Sequence, residues 1–303
     1  MKKIVVTKNM SFYPDQLERL KGLWEVKFYK DEASSEQEWL ERCLWADIIC
    51  SWGFGSKSEK VYELEDTFIS LPFVGVEFFD IEKLKSKNIT ISNSPWCNKE
   101  AVSEWVIGML LMVMRDLHLS LNTESRTQNE LFKTGQSIWN KHITILWKGN
   151  IGTHLGNILT AFWAQVQFFT RWDNIRTVAE NADIIINCLT ANTETENILD
   201  TRFFEWLKQG SIFVSVARQS TYDTEALKDA LQKWILKVAI DDAASGVVWD
   251  IRDPYYQSFK WQENMYTTPH IAWNAESEAR KANDIMITNI EVWLRNIPQN
   301  LIY

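Results

Sequence analysis

The sequence predicts an α/β protein in which short parallel strands alternate with helices. Short apolar runs rich in Val and Ile, such as KKIVVT and ADIICS, are separated by stretches of about ten residues with helical spacing. The hydrophobic share of 46% and the charged share of 24% are ordinary for a globular chain of 303 residues. Strands and helices in this alternation are typical of βαβ units, which build parallel sheets.

The alternation falls into two series, separated by one long helical stretch. The first series runs from KKIVVT to NITISNS, and the second runs from HITIL to ILKVAIDD. Between them, NKEAVSEWVIGMLLMVMRDLHLSL carries apolar residues on more than one helical face. This pattern predicts a helix buried on two sides, either by a second domain or subunit or as a central core helix. A last amphipathic helix is predicted to begin with Asn274 as its N-cap.

Charge and composition exclude several classes of protein. The net charge of -8 without a basic run argues against nucleic-acid binding. The longest apolar run, residues 105–114, is too short to span a bilayer, and the start MKKIVV predicts no signal peptide. We therefore expect a cytoplasmic protein with no membrane contact, no metal site and reduced thiols. The cysteines, which lack metal-ligand spacing, are Cys43, Cys50, Cys97 and Cys188.

The stretch ITILWKGNIGTHLG has the layout of a dinucleotide-binding turn. A strand-like run precedes it and a helical stretch follows it. A Rossmann turn needs glycine at three places, one for the sharp turn, one for the approach of the pyrophosphate and one for helix packing. Those places hold Trp147, Gly149 and Gly152, so two of the three glycines are present.

The end of the next predicted strand indicates which dinucleotide is preferred. An NAD site normally has Asp or Glu there for the ribose hydroxyls, but this chain has Thr170 followed by Arg171. A cation suits a 2′-phosphate, so the pattern favours NADP over NAD. The alternative is that Arg171 is only a solvated loop charge.

Two further residues carry chemistry. Arg218 follows the strand SIFVSV, at the sheet edge where α/β folds bind ligands, and a guanidinium can hold a carboxylate. His270 follows a proline in TPHIAW, and histidine is suited to donate a proton to a ketone near neutral pH. A lone histidine is more often structural, and we interpret the others in that way: His118, His142 and His154.

Taken together, these motifs resemble the D-isomer-specific 2-hydroxyacid dehydrogenases. The collinear segments are VGVEFFDIEKLKSKNITISNSPWCNKEAVSEW, WKGNIG, ADIIINCLTANTETENIL, VARQSTYDTEAL and TPHIAW. The resemblance implies a flavodoxin-like substrate domain at 1–93 and 275–303. It also implies a Rossmann-type, doubly wound dinucleotide-binding domain at 94–274, with an active-site cleft between the two. It further implies a homodimer built around the long helix.

The resemblance also implies roles for individual residues. His270 would be the acid/base, and Arg218 would bind the carboxylate and carbonyl of a small 2-oxo or 2-hydroxy acid. Backbone N–H groups at Val76 and Glu77 would meet the substrate carboxylate, and Asp241 would hold the nicotinamide carboxamide. The implied contacts to NADP or NAD are Gly149, Asn150, Ile151, Gly152, Thr170, Arg171, Val216, Ala217 and Asp241.

Departures from the family pattern keep three functions open. Gly246 stands where the family has the Glu that orients its His, and Asp242 is one candidate to replace it. Glu77 and Gln219 replace family glycines. The first function is a 2-oxoacid reductase, and the second is a catalytically weak or inactive nucleotide-sensing or interaction protein with this fold. The third is a protein that binds no cofactor because Trp147 fills its site.

Tryptophan and glycine occur in unusual numbers. The chain has 16 Trp and 11 Gly, whereas average usage predicts about 21 Gly. One interpretation is that a reassigned stop codon, read as Gly by the organism, is written here as Trp. The other is a chain that is truly rich in Trp. Trp96 and Trp147 stand where the family has Gly, and four others are predicted at left-handed helix C′ positions: Trp24, Trp45, Trp163 and Trp234.

Overall fold

The computed structural model describes residues 2–53, 55–117, 135–233, 235–241, 257 and 264–303. The chain divides into two compact units, each built on its own sheet. One unit is Met1–Asn98 with Asn274–Tyr303, and the other is Lys99–Trp273.

The first unit is a five-stranded parallel sheet in the order β2-β1-β3-β4-β5. This order is the flavodoxin-like one. The strands are β1 (Lys3–Val6), β2 (Glu25–Phe28), β3 (Ile48–Cys50), β4 (Phe68–Ser70) and β5 (Thr90–Ser92). The helices are α1 (Pro14–Lys21), α2 (Glu36–Cys43), α3 (Ile81–Ser86) and, at the end of the chain, α9 (Glu276–Leu294).

The second unit is a six-stranded parallel sheet in the order β11-β10-β9-β8-β6-β7. Its strands are β6 (His142–Leu146), β7 (Gln165–Phe169), β8 (Ile184–Asn187), β9 (Ser211–Ser215), β10 (Leu236–Asp241) and β11 (Met265–Thr268). Its helices are α4 (Lys99–Arg115), α5 (Asn150–Ala161), α6 (Ile175–Asn181), α7 (Thr201–Glu205) and α8 (Thr224–Gln232). Because β7 and β8 flank β6 on opposite sides, the strand order reverses there, which is where such sheets bind ligands.

Alternation of apolar residues along the strands builds two cores in the second unit. Ile143 and Ile145 of β6 face a cluster that includes Leu110 of α4 and Leu155 of α5. Leu146 belongs to the cluster on the opposite face. A sheet covered on both faces needs strands that are apolar throughout, which is why these strands are visible as short apolar runs. The predicted α/β class with two parallel-sheet domains is confirmed.

Some predicted details differ from the structure. The last helix begins at Glu276 with Ala275 as its N-cap, so the predicted N-cap Asn274 is wrong. Acidic side chains in the first turn, Glu276 and Glu278, complement the helix dipole there instead of a capping side chain. Strand β11 was not predicted, because MYTT is a short, half-buried strand at the sheet edge.

The long helical stretch forms α4, and its predicted continuation beyond residue 117 lies outside the described residues. One side of α4 is fully buried, and the half-buried Ile107, Met109 and Leu111 pack against the same core. Over the described part of the chain, no helix combines the length and apolar character needed to cross a membrane.

Candidate functional site

The turn after β6 brings helix α5 close to the strand end. Residue 147 has a left-handed φ of 90°, and its N–H donates to the Phe169 carbonyl at 3.3 Å. Gly149 is the N-cap of α5 and contributes no capping side chain. A Cβ on Gly152 would lie 2.2 Å from the Trp147 carbonyl oxygen, so only glycine permits this close packing.

The backbone of this turn fits a pyrophosphate. The first N–H groups of any α-helix lack intrahelical acceptors, and the helix dipole favours an anion there. In the 12-residue helix α5 these groups belong to Asn150, Ile151 and Gly152. The peptide groups of the turn could therefore hold the phosphates of a dinucleotide.

The side chain of Trp147 does not fit. A Cβ built on Gly149 would meet the indole Nε1 of Trp147 at 2.7 Å and its Cδ1 at 2.8 Å. The ring therefore lies against the face that Gly149 leaves open, and this is the face a pyrophosphate approaches in a Rossmann turn. Everything at this turn suits the cofactor except this ring.

Strand β7 ends beside the predicted ribose subsite. The N–H and Oγ1 of Thr170 both donate to Asp173 Oδ2, at 2.6 and 2.8 Å. The Arg171 guanidinium lies 3.3 Å from Glu194 Oε2, and both side chains are mostly exposed. An exposed pair of this kind contributes little to stability, so it leaves Arg171 available for a ligand phosphate.

A buried polar network fixes the turn that carries Arg218. Val216, which follows β9, donates its N–H to the Asn187 carbonyl at 3.1 Å. The Asn187 side chain donates to Thr221 Oγ1 at 2.9 Å, and Thr221 Oγ1 donates to the Arg218 carbonyl at 2.7 Å. Ala217, which lies between Val216 and Arg218 in the chain, is buried.

Asn187 and Thr221 were not identified from the sequence. Both are fully buried. The available signal is that Asn187 ends the apolar strand IIIN, because a buried amide needs hydrogen-bond partners.

Arg218 and His270 are brought together. Arg218 Nη1 lies 3.0 Å from His270 Nδ1, although the two residues are 52 positions apart in the chain. The same Arg218 Nη1 lies 3.4 Å from His270 Nε2, so the guanidinium nitrogen is near both ring nitrogens, and the tautomer of the imidazole decides which of them can accept its N–H. The two predicted catalytic side chains thus lie side by side after β9 and β11.

The backbone at His270 is held on both sides. His270 has a φ of 53°, and its N–H donates to the Thr268 carbonyl at 2.9 Å. The indole N–H of Trp273 donates to the His270 carbonyl at 2.8 Å. The left-handed turn after Pro269 is therefore fixed by two hydrogen bonds.

Asp241 clamps the segment that carries His270. Its buried carboxylate accepts from Thr268 Oγ1 at 2.6 Å, from the Ile271 N–H at 2.7 Å and from the Ala272 N–H at 2.7 Å. Burial raises the pKa of Asp241, and these three hydrogen bonds oppose that rise in part. A carboxylate has about four acceptor positions, so one remains for a carboxamide N–H. The clamping contacts were not predicted from the sequence.

The predicted substrate contacts lie in the first unit. Val76 is half-buried in the loop between β4 and α3, and its carbonyl accepts the Phe79 N–H at 3.2 Å. Glu77 follows it and is exposed. Gly246 and Asp242, on which the question of the histidine partner depends, lie outside the described residues.

The thiols of Cys188 and Cys50 are not activated. Cys188 directly follows β8, and burial raises its thiol pKa to about 12, so the thiol stays protonated at neutral pH. Burial raises the pKa of Cys50 to about 12 as well. Among the described residues no disulfide forms, and no group of three His, Cys, Asp or Glu side chains is placed to hold a metal ion.

Comparisons with known proteins agree with this geometry. Residues 107–272 match the family model described as D-isomer specific 2-hydroxyacid dehydrogenase, NAD binding domain. A D-lactate dehydrogenase of Staphylococcus aureus (strain MRSA252) is 26% identical over 255 residues, which are 75% of this chain and 77% of that protein.

Solved structures share the fold over the whole chain. An acyclic imino acid reductase in complex with NADPH and D-Arg has a TM-score of 0.83 at 22% identity, covering 99% of this chain and 100% of that one. D-lactate dehydrogenase with NAD+ from Lactobacillus jensenii has a TM-score of 0.76 at 23% identity, covering 98% of each chain.

The packing of Gly152 generates a first prediction. Gly152→Ala should lower the free energy of unfolding by about 1–3 kcal/mol, because its Cβ meets the Trp147 carbonyl and overpacks the turn. Gly108→Ala in α4 is the matched control, since a Cβ there meets nothing within 4 Å. It should stabilise by about 0.5–1 kcal/mol. Urea unfolding measures both, and equal effects at the two sites would contradict the packing argument.

The Asp241 clamp generates a second prediction. Asp241→Asn places an NH2 group against N–H or O–H donors, so the free energy of unfolding should fall by about 1–3 kcal/mol. Hydrogen exchange at the Ile271 and Ala272 amides should accelerate with it. Asp173→Asn, which removes an exposed carboxylate at Thr170, is the control and should leave both amides unchanged. Unchanged exchange in Asp241→Asn would rule the clamp out.

Proposed function

The chain belongs to the D-isomer specific 2-hydroxyacid dehydrogenase family, and on this premise we propose that it works mainly as a reductase of small 2-oxo acids. The observation that carries the proposal is the 3.0 Å approach of Arg218 Nη1 to His270 Nδ1. A guanidinium and an imidazole at one sheet edge supply a carboxylate anchor and a proton donor together.

Each of the two side chains has a defined task in the proposal. Arg218 binds the substrate carboxylate and stabilises the negative charge that develops on the carbonyl oxygen. His270, once protonated, gives its ring N–H proton to that oxygen. The nicotinamide cofactor, when bound, supplies the hydride for the carbonyl carbon. Asn187 and Asp241 act as positioning residues, because each fixes the backbone that carries one of the pair.

The proposed cofactor contacts lie along the carboxyl ends of the strands in the second unit. The N–H groups of Asn150, Ile151 and Gly152 would face the pyrophosphate, with Gly149 leaving the approach open. Val216 and Ala217 would line the nicotinamide side, and Asp241 would use its remaining acceptor position for the carboxamide.

We infer NADP rather than NAD as the preferred cofactor. The N–H and hydroxyl of Thr170 both donate to Asp173, and the Thr170 side chain has no carboxylate to accept from the ribose hydroxyls. The exposed Arg171 supplies the cation that a 2′-phosphate needs. The structurally similar proteins include both cofactors, NADPH in the imino acid reductase and NAD+ in the L. jensenii D-lactate dehydrogenase, so the choice of NADP rests on Thr170 and Arg171.

The similarity to the S. aureus D-lactate dehydrogenase supports a small 2-oxo acid as the substrate. We propose that Val76 and Glu77 of this chain also contact that substrate. The alternative of an inactive nucleotide sensor is not favoured, because the relative matched over three quarters of the chain is named as an enzyme. We further propose a cytoplasmic homodimer that covers the half-buried Ile107, Met109 and Leu111 of α4.

Turnover tests the catalytic pair. The assay follows NADPH oxidation with pyruvate, glyoxylate and hydroxypyruvate, in the unsubstituted protein and in Trp147→Gly, because the Trp147 ring covers Gly149. In whichever form is active, His270→Ala should lower kcat by about 10²–10⁴-fold. His142→Ala, an exposed histidine at the start of β6, is the control and should keep full activity. Equal turnover in the two histidine variants would refute the proposal.

Cofactor preference tests Arg171. In the Trp147→Gly background, which removes the ring over Gly149, Arg171→Ser should weaken NADPH binding by about 10-fold or more, because a charge-assisted contact to the 2′-phosphate is lost. NADH binding should change little. Arg176→Ser in α6, which removes another exposed cation paired with a carboxylate, should not alter the ratio of the two affinities. A ratio that Arg171→Ser leaves unaltered would assign Arg171 to the solvated surface.

A further inference from the structure

Three tryptophans hold a backbone conformation that favours glycine. Trp96, Trp147 and Trp163 have φ values of 65°, 90° and 57°. A bulky side chain in this region is an outlier, because its Cβ crowds the following carbonyl. All three rings are exposed, by 55%, 42% and 74%, so burial of the indole does not offset the strain.

Eight of the other nine non-glycine residues with left-handed φ in the described part of the chain are Asn, Asp or His, the types enriched in this conformation, and the ninth is Ser11. Within the described ranges, twelve non-glycine residues have positive φ, and nine of them are Asn, Asp, Ser or His. The remaining three are the tryptophans. Among the described residues, then, no leucine, isoleucine, valine, phenylalanine, tyrosine or methionine shares this conformation. A replacement of glycine by tryptophan alone explains why no other large residue type in this part of the chain has positive φ. Backbone strain distributed over all residue types does not explain it.

Trp163 occupies the most diagnostic of these positions. Helix α5 ends with Phe162 as its C-cap, the Trp163 N–H donates to the Thr160 carbonyl at 2.9 Å, and the Ala164 N–H donates to the Leu159 carbonyl at 3.1 Å. These two bonds define a Schellman motif, and Trp163 is its C′ residue. That position is left-handed and is usually glycine.

We propose that the protein made by its organism carries glycine at positions 96, 147 and 163, where one codon is read as glycine in the cell and written as tryptophan here. The excess of Trp over Gly in the composition points the same way. Trp24 and Trp45 are not part of the proposal, because neither has positive φ. Trp234 lies outside the described residues.

Position 147 gives the proposal a functional consequence, which rests on the proposed function. Glycine at 147 keeps the left-handed turn and removes the ring that lies 2.7 Å from the Cβ position of Gly149. The open face of Gly149 then becomes accessible to a pyrophosphate. The third glycine of the dinucleotide-binding turn is thereby restored.

Thermal unfolding at position 163 tests the glycine assignment without any cofactor. Trp163→Gly should raise Tm by about 2–4 °C. Its Tm should also be higher than that of Trp163→Ala, because alanine keeps the Cβ that the left-handed turn disfavours. The matched control is Trp139, which is 67% exposed and has no positive φ. There the alanine variant should equal or exceed the glycine variant. If Trp163→Ala is as stable as Trp163→Gly, the assignment fails.

Nucleotide titration at position 147 tests the consequence. Calorimetric titration with NADPH should show that Trp147→Gly binds about 10-fold or more tightly than the unsubstituted protein. Equal NADPH affinity in the two forms would overturn the claim that the ring obstructs the site. Absence of NADPH binding in both forms, alongside the stability gain at 163, would count against the proposed function and still support the glycine assignment.

Discussion

The turn between β6 and α5 sets the geometry on which the nucleotide site depends. Residue 147 must adopt left-handed φ so that the chain reverses within a few residues and α5 starts directly above the strand end. The Trp147 carbonyl then lies so close to Gly152 that no side chain fits between them. The same turn aims the first N–H groups of α5 at the carboxyl edge of the sheet, where a dinucleotide would bind. A ring at 147 therefore strains the backbone and covers the face of Gly149 that a pyrophosphate would approach.

Buried hydrogen bonds add to apolar packing at the sheet edge that carries Arg218 and His270. Asn187 connects the end of β8 to the turn that carries Arg218, and Asp241 connects the end of β10 to the segment that carries His270. Satisfied buried hydrogen bonds of this kind fix the backbone of the loops at the carboxyl ends of the strands. Arg218 and His270 meet because two such ties converge.

Most of the fold could be predicted from the sequence because both sheets are buried on two faces. Such strands appear as short apolar runs, as β6, β8 and β9 do, whereas the edge strand β7 shows alternating apolar residues. β11 was not predicted, because this edge strand of four residues, MYTT, has no such run. The hydrogen bonds of Asp241 were not predicted for a different reason. Two of its three donors are backbone N–H groups, which leave no pattern in the sequence.

The tryptophans show how far local rules reach. The rule that a helix C′ position is left-handed and favours glycine correctly predicted the conformation of Trp163, where α5 ends in a Schellman motif. The same rule was wrong for Trp24, because α1 ends at Lys21 with Gly22 as its C-cap and Trp24 lies beyond C′. It was wrong for Trp45 because the chain leaves α2 without a left-handed residue there. Helix ends could be located from sequence only to within a residue or two.

The central claim is that the turn after β6 is built for glycine at residue 147. The most direct measurement is the mass of the peptide that spans β6 and the start of α5, taken from protein purified from the cells that make it. We predict a peptide that is lighter than one with tryptophan at position 147 by the mass difference between tryptophan and glycine. A peptide that carries the full mass of tryptophan at that position would contradict it.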